Sequence, residues 1–142
     1  MAHWFGSAGE HTEAVVEAVV ERVAAGGIEQ VVVATTSGLT GVRFAEALRR
    51  TDTTVVCVTH HVGFKGGDHE QLEPGHAERI RDAGGRILTT GHALSGVNRS
   101  ISKTFGGTSA VEIIAHTLRL FGQGTKVCAE IAVMAADAGL IP

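Results

Sequence analysis

The chain has no tyrosine, and its aromatic residues are five Phe and one Trp in 142 residues. So sparse a set supplies no row of ring faces on which successive bases could stack. A basic surface is equally absent. Twelve Lys and Arg are dispersed among fifteen Asp and Glu, giving a formal charge of -3 and no continuous face to neutralise the phosphates of a duplex. Nucleic acid is therefore not the expected partner. No apolar run is long enough to span a bilayer, and the Met-Ala-His-Trp start lacks the basic and apolar pattern of a secretory signal. The expectation is a cytoplasmic protein with no membrane partner. Cysteine is limited to Cys57 and Cys128, one in a strand-like run and one in a helix-like run, so both are expected as reduced, buried thiols.

What the chain has in quantity is glycine, 19 residues, which implies close approach of the backbone to something. Its length fits one domain, residues 1–142, able to build a core without disulfides. Between Thr12 and Ala25 the residues Val16, Val19, Val20 and Val23 recur at helical spacing, with Gly26-Gly27 as the stop. Gln30 to Thr35 is then a nearly all-apolar, β-branched run, the composition of a strand covered on both faces. Ser37 is placed to cap a second helix bearing Val42, Ala45 and Leu48, and Thr54 to Thr59 repeats the strand pattern. Glu73-Pro74 starts a third helix, and Arg86 to Thr90 reads as a third strand.

Parallel strands joined by helices imply an α/β fold, a three-layer α/β/α sandwich with a mainly parallel sheet. Later segments read as helices. Ser109 to Glu112 is a capping box, followed by Val111, Ile114, Ala115, Leu118 and Phe121 on one face. The last helix, Lys126 to Ala138, is apolar almost all round and is expected to be central, with Lys126, Glu130 and Asp137 on one stripe. Such a stripe either forms a structural network or faces a polar pocket.

Each strand empties into a polar segment, and in an open parallel sheet these ends share the edge where ligands bind. After the first strand, Thr36, Ser37, Gly38 and Thr40 place hydroxyls and amides at a helix start, suited to a phosphate and equally able to cap the helix. The second strand leads to His60, His61, Gly63 and Phe64. If the strand continues through the two histidines, their side chains point to opposite faces, which disfavours a shared metal. The third leads to His92, Ser95, Gly96 and Arg99, whose guanidinium is suited to grip a phosphate, with Lys103 beyond it. No nucleophile stands beside an evident base, so no catalytic residue is assigned.

The strings Thr59-His60-His61-Val62-Gly63-Phe64, His92 to Ser102, Phe105-Gly106-Gly107 and Lys126 to Gly139 resemble the pyruvate kinase C-terminal-domain-like family of small archaeal and bacterial proteins. The resemblance covers nearly the whole chain. It implies the α/β/α fold of the pyruvate kinase regulatory domain without the catalytic barrel. It also implies flavin mononucleotide (FMN) as cofactor, with Thr36, Ser37, Gly38 and Thr40 at the phosphate and His60, His61, Gly63, Phe64, His92, Ser95, Gly96 and Arg99 around the pocket. A non-catalytic sensor of a phosphorylated metabolite is the alternative. Family members continue past the last helix into two more strands, which this sequence lacks. A bare edge along Gln30 to Thr35 is therefore expected, and with it a homo-oligomer, unless the His3-Trp4-Phe5 segment covers that edge.

Overall fold

A computed structural model of the chain describes residue 6 and residues 9–142; the His3-Trp4-Phe5 segment lies outside the described residues. The three β-branched runs form strands β1 (Gln30–Ala34), β2 (Thr54–Thr59) and β3 (Arg86–Thr89). They lie in the order β1-β2-β3, and both pairings are parallel. Val33 stands opposite Cys57, which stands opposite Ile87, so all three strands end at one edge of the sheet.

Side chains alternate across a strand, and here each set meets its own helices. Val33, Val55 and Cys57 pack with Val16 and Val23 of α1 (Thr12–Ala24), Val42 and Leu48 of α2 (Leu39–Leu48), and Ile80 of α3 (Pro74–Asp82). On the opposite face, Val56 and Val58 meet Ile131, Met134 and Ala135 of α6 (Gln123–Asp137). Burying each such side chain contributes about 1.5–3 kcal/mol, and the period-two pattern fixes which face each one serves. The fold is α/β, with a three-strand all-parallel sheet flanked by helices. No helix among the described residues is long and apolar enough to cross a membrane.

Gly41 lets α2 sit directly on the sheet: a Cβ there would come within 2.8 Å of Cys57 Sγ and 2.9 Å of Ile80 Cδ1. The close approach expected of glycine is, at this position, an approach of the protein to itself.

The remaining helices, α4 (Gly96–Phe105) and α5 (Ala110–Arg119), bury little: no residue of α4 and only Ala115 of α5. The Ser109–Glu112 capping box starts α5 as expected, and the same Glu112 carboxylate accepts from Ser102 Oγ, tying α5 to α4. Several expectations are corrected here. Of the apolar face read from Val111 to Phe121, Ala115 is buried whereas Ile114 and Phe121 are exposed, α5 packing on α6 and α4 and not on the sheet. Helix α6 begins at Gln123, where Gly122 caps it, three residues before the expected start. It covers the sheet with one face only, leaving Val133 and Cys128 exposed, so neither the central helix nor the buried Cys128 is found.

β1 pairs with β2 alone, so among the described residues its outer edge carries no strand, as expected for Gln30 to Thr35. Thr35 N–H donates to Val58 and Glu29 C=O accepts from Thr54, and by alternation the main-chain groups of Gln30, Val32 and Ala34 face away from the sheet.

Candidate functional site

Between β1 and α2 the chain makes a tight turn that leaves donors free. Gly38, not Ser37, is the helix N-cap; its φ of +97° is left-handed, and a Cβ there would lie 2.6 Å from His76 Cβ. Glycine is thus required by packing against α3. The Ser37 carbonyl is braced from the same side, accepting from Glu73 N–H at 3.0 Å and His76 Nδ1 at 2.9 Å. Thr35 Oγ1 accepts from Gly41 N–H at 3.3 Å, and Ser37 Oγ from Leu39 N–H at 3.5 Å. The N–H groups of Thr36, Gly38 and Thr40 find no acceptor among the described residues. A helix N-terminus with free amides and hydroxyls favours an anion.

β2 ends at Thr59, so His60 and His61 are not strand residues and do not point to opposite faces. Both rings join one aromatic cluster with Phe64 and His92. His60 stacks on Phe64 with centroids 3.8 Å apart and planes 2° from parallel, and the His61 ring lies 5.4 Å from that of His92. His60 Nδ1 is 3.1 Å from His92 Nε2, which requires one nitrogen to carry a proton and the other to accept it. Burial, reinforced by the neighbouring His61 and Lys65, lowers the His60 pKa below its ordinary value. Burial lowers His92 as well, against the pull of the Glu130 carboxylate. Both shifts favour the neutral form of the pair. Among the described residues, no group of three or more His, Cys, Asp or Glu side chains is arranged to hold a metal.

α6 supplies the third wall. Glu130 is buried and accepts the Leu94 N–H at 2.9 Å and Ser95 Oγ at 3.3 Å through one oxygen, while buried Lys126 holds the other. Burial on its own would raise this carboxyl; the Lys126 hydrogen bond and charge and the Leu94 amide outweigh it and hold the group ionised below the usual range. The loop that carries His92 and Ser95 is pinned in consequence.

These walls enclose an open cavity of about 520 Å³, within the range usual for small-molecule sites. Eight of the expected site residues line it: Thr36, Ser37 and Thr40 on one wall, His60, Phe64 and His92 on the second, and Ser95 with Arg99 at the entry to α4. His61 and Gly96 line an adjoining cavity of about 410 Å³ that shares Phe64, His92, Ser95 and Arg99. Gly38 and Gly63 line neither; Gly63 makes a turn in which a Cβ would meet the Gly67 carbonyl at 2.8 Å.

Six polar residues join the lining without having been assigned to the site: Thr35, Thr59, Arg119, Gln123, Lys126 and Glu130. The last two were visible as charges four apart on an apolar helix. Arg119, whose Nε donates to Gln123 Oε1 at 2.9 Å, carries no such signal. Arg99 makes no side-chain hydrogen bond or ion pair among the described residues. Since Lys126 and Glu130 neutralise each other, Arg99 and Arg119 leave the cavity with an excess of positive charge. No protein-family model matches the chain.

Proposed function

We propose that the chain binds a phosphorylated small molecule at the carboxyl edge of its sheet, and that FMN, nominated by the family resemblance, is the ligand to test first. One observation carries this proposal: the free amides and hydroxyls at the start of α2 open into the same cavity as two arginines, one of them unpaired. Thr36, Ser37 and Thr40 hold the phosphate, with Arg99 and Arg119 adding positive charge. The residues present fit the rest of an FMN molecule in kind. The Phe64–His60 stack offers a flat ring face, and the neutral His60–His92 pair offers both a donor and an acceptor. When bound, the flavin would supply reversible acceptance of a hydride, hence a redox role. The pyruvate kinase-like α/β/α sandwich belongs to the same proposal.

A second reading is a non-catalytic sensor of a phosphorylated metabolite. It is favoured by the lining itself, in which no serine or threonine hydroxyl hydrogen-bonds to a histidine ring among the described residues, Thr59 Oγ1 reaching only the His60 carbonyl, so no nucleophile is paired with a base.

The test is a fluorescence titration of FMN and riboflavin with the protein. FMN should be quenched and riboflavin bound at least tenfold more weakly. Ser37→Asp should weaken FMN at least tenfold and leave riboflavin unchanged, because a carboxylate at that helix start repels a phosphate. No quenching with protein in large excess removes the flavin, and competition by a phosphorylated metabolite alone selects the sensor.

A further inference from the structure

Helices α4 and α5 are amphipathic in the inverse of the usual sense. A surface helix normally turns its apolar stripe to the core and its charges to water. On α4, Arg99, Ser100 and Lys103 line cavities, whereas Val97, Ile101 and Phe105 are 73%, 52% and 82% exposed. At 3.6 residues per turn the spacing i, i+4, i+8 puts these three on one stripe, and Arg99 and Lys103 fall on the opposite side. α5 repeats the arrangement. Glu112, His116 and Arg119 line a cavity, while Ile113 and Ile114 are 58% and 52% exposed, and Leu120 and Phe121 follow at 82% and 76%.

Seven large apolar side chains are therefore presented by one helix pair held together through Ser102 and Glu112. At these exposures the seven together offer roughly 800 Å² of surface, the area that one side of a standard interface buries.

We propose that this α4–α5 face is the contact between two copies of the chain related by a twofold axis. The face itself selects the occupant. Among the described residues of α4 and α5, the cations Arg99, Lys103 and Arg119 and the carboxylate of Glu112 lie on the cavity side, so the two apolar stripes offer a charged partner nothing to pair with. An anionic membrane is disfavoured by the formal charge of -3 and because Arg99, Lys103 and Arg119 of these helices line cavities. An uncharged patch of this size is complementary to itself, and twofold packing of α4 and α5 on their copies forms a four-helix cluster. The proposal is independent of which ligand fills the cavity.

Sedimentation velocity of the full chain at micromolar concentration tests it. The protein should be a dimer, and Ile101→Asp should raise the dissociation constant at least tenfold with an unchanged far-UV circular dichroism spectrum. Should that variant fail to fold, Phe105→Ser, at the more exposed end of α4, gives the same reading. A wild-type monomer at ~100 µM, well above the dissociation constants of standard interfaces, would overturn the proposal. So would a dimer indifferent to both substitutions, which would place the contact elsewhere, such as the β1 edge. Flotation of a monomer with anionic vesicles would assign the face to lipid and overturn it too.

Discussion

Glu130 accepts the Leu94 N–H at 2.9 Å, so the last helix of the chain holds the loop that leaves the third strand. Lys126, four residues earlier, is buried with it. Glu130→Ala leaves a buried ammonium without its partner and an amide without its acceptor. A loss of about 3 kcal/mol is expected, the lower end for a broken buried pair because the carboxylate borders an open cavity. Joint replacement of Lys126 and Glu130 by Met should recover most of it. Urea midpoints decide the matter: a double variant no more stable than Glu130→Ala would show that the orphaned charge is not what costs stability.

Gly41→Ala is expected to destabilise by about 1–3 kcal/mol, the usual cost of overpacking. Its methyl group would press on Cys57 Sγ and Ile80 Cδ1. Removing the sulfur relieves part of that pressure, so Cys57→Ala should cost less in the Gly41→Ala background than in the wild type. Strict additivity in this double-mutant cycle would refute the contact as the source.

Stability is expected to fall as pH drops below neutrality. Burial keeps His60 and His92 below the ordinary histidine value of 6.5 in the folded protein. The unfolded chain takes up protons near that pH which the folded chain refuses, so the contribution is complete above it and is lost as pH falls through the folded values. Glu130, held below 4.5, adds a loss of the same sign at lower pH. Thermal midpoints measured from about pH 8 to about pH 5 should decline, and His92→Asn should flatten the decline. A slope unaltered by that change would absolve His92.

The two thiols should differ sharply in reactivity. Burial pushes Cys57 up to about 12, whereas Cys128 stands on the outer side of α6. Alkylation of the native protein at mildly alkaline pH should modify Cys128 alone, because the thiolate is the nucleophile and must be reached. Mass spectrometry finding label on Cys57 before unfolding would contradict the packing beneath α2.

Strands and flanking helices are legible in the sequence because β-branched runs such as Val31-Val32-Val33 and stops such as Gly26-Gly27 are local signals. The convergence of the loops after β1, β2 and β3 then follows from parallel pairing. What is not legible is the direction in which a helix turns once the sheet has been covered. Ile114 and Phe121 share an apolar face with buried Ala115 yet are exposed, and Cys128 reads as buried yet is exposed, since periodicity marks an apolar face without saying what meets it. Arg119 reaches the cavity for the same reason, its helix turning its polar side inward. The two histidines escape the alternation rule because β2 stops at Thr59, where the strand-like run of the sequence ends, and does not continue through His61.

The open flank of β1 bears on how the protein tolerates handling. Gln30 to Ala34 contains no Lys, Asp, Glu or Pro, the residues that commonly guard a sheet margin against foreign strands. On warming or at high concentration, loosening of whatever lies over this margin would expose a short, uncharged, β-branched template. Precipitation would then begin at this segment, and a single lysine in place of Gln30 would delay it by setting like charges against each other between molecules.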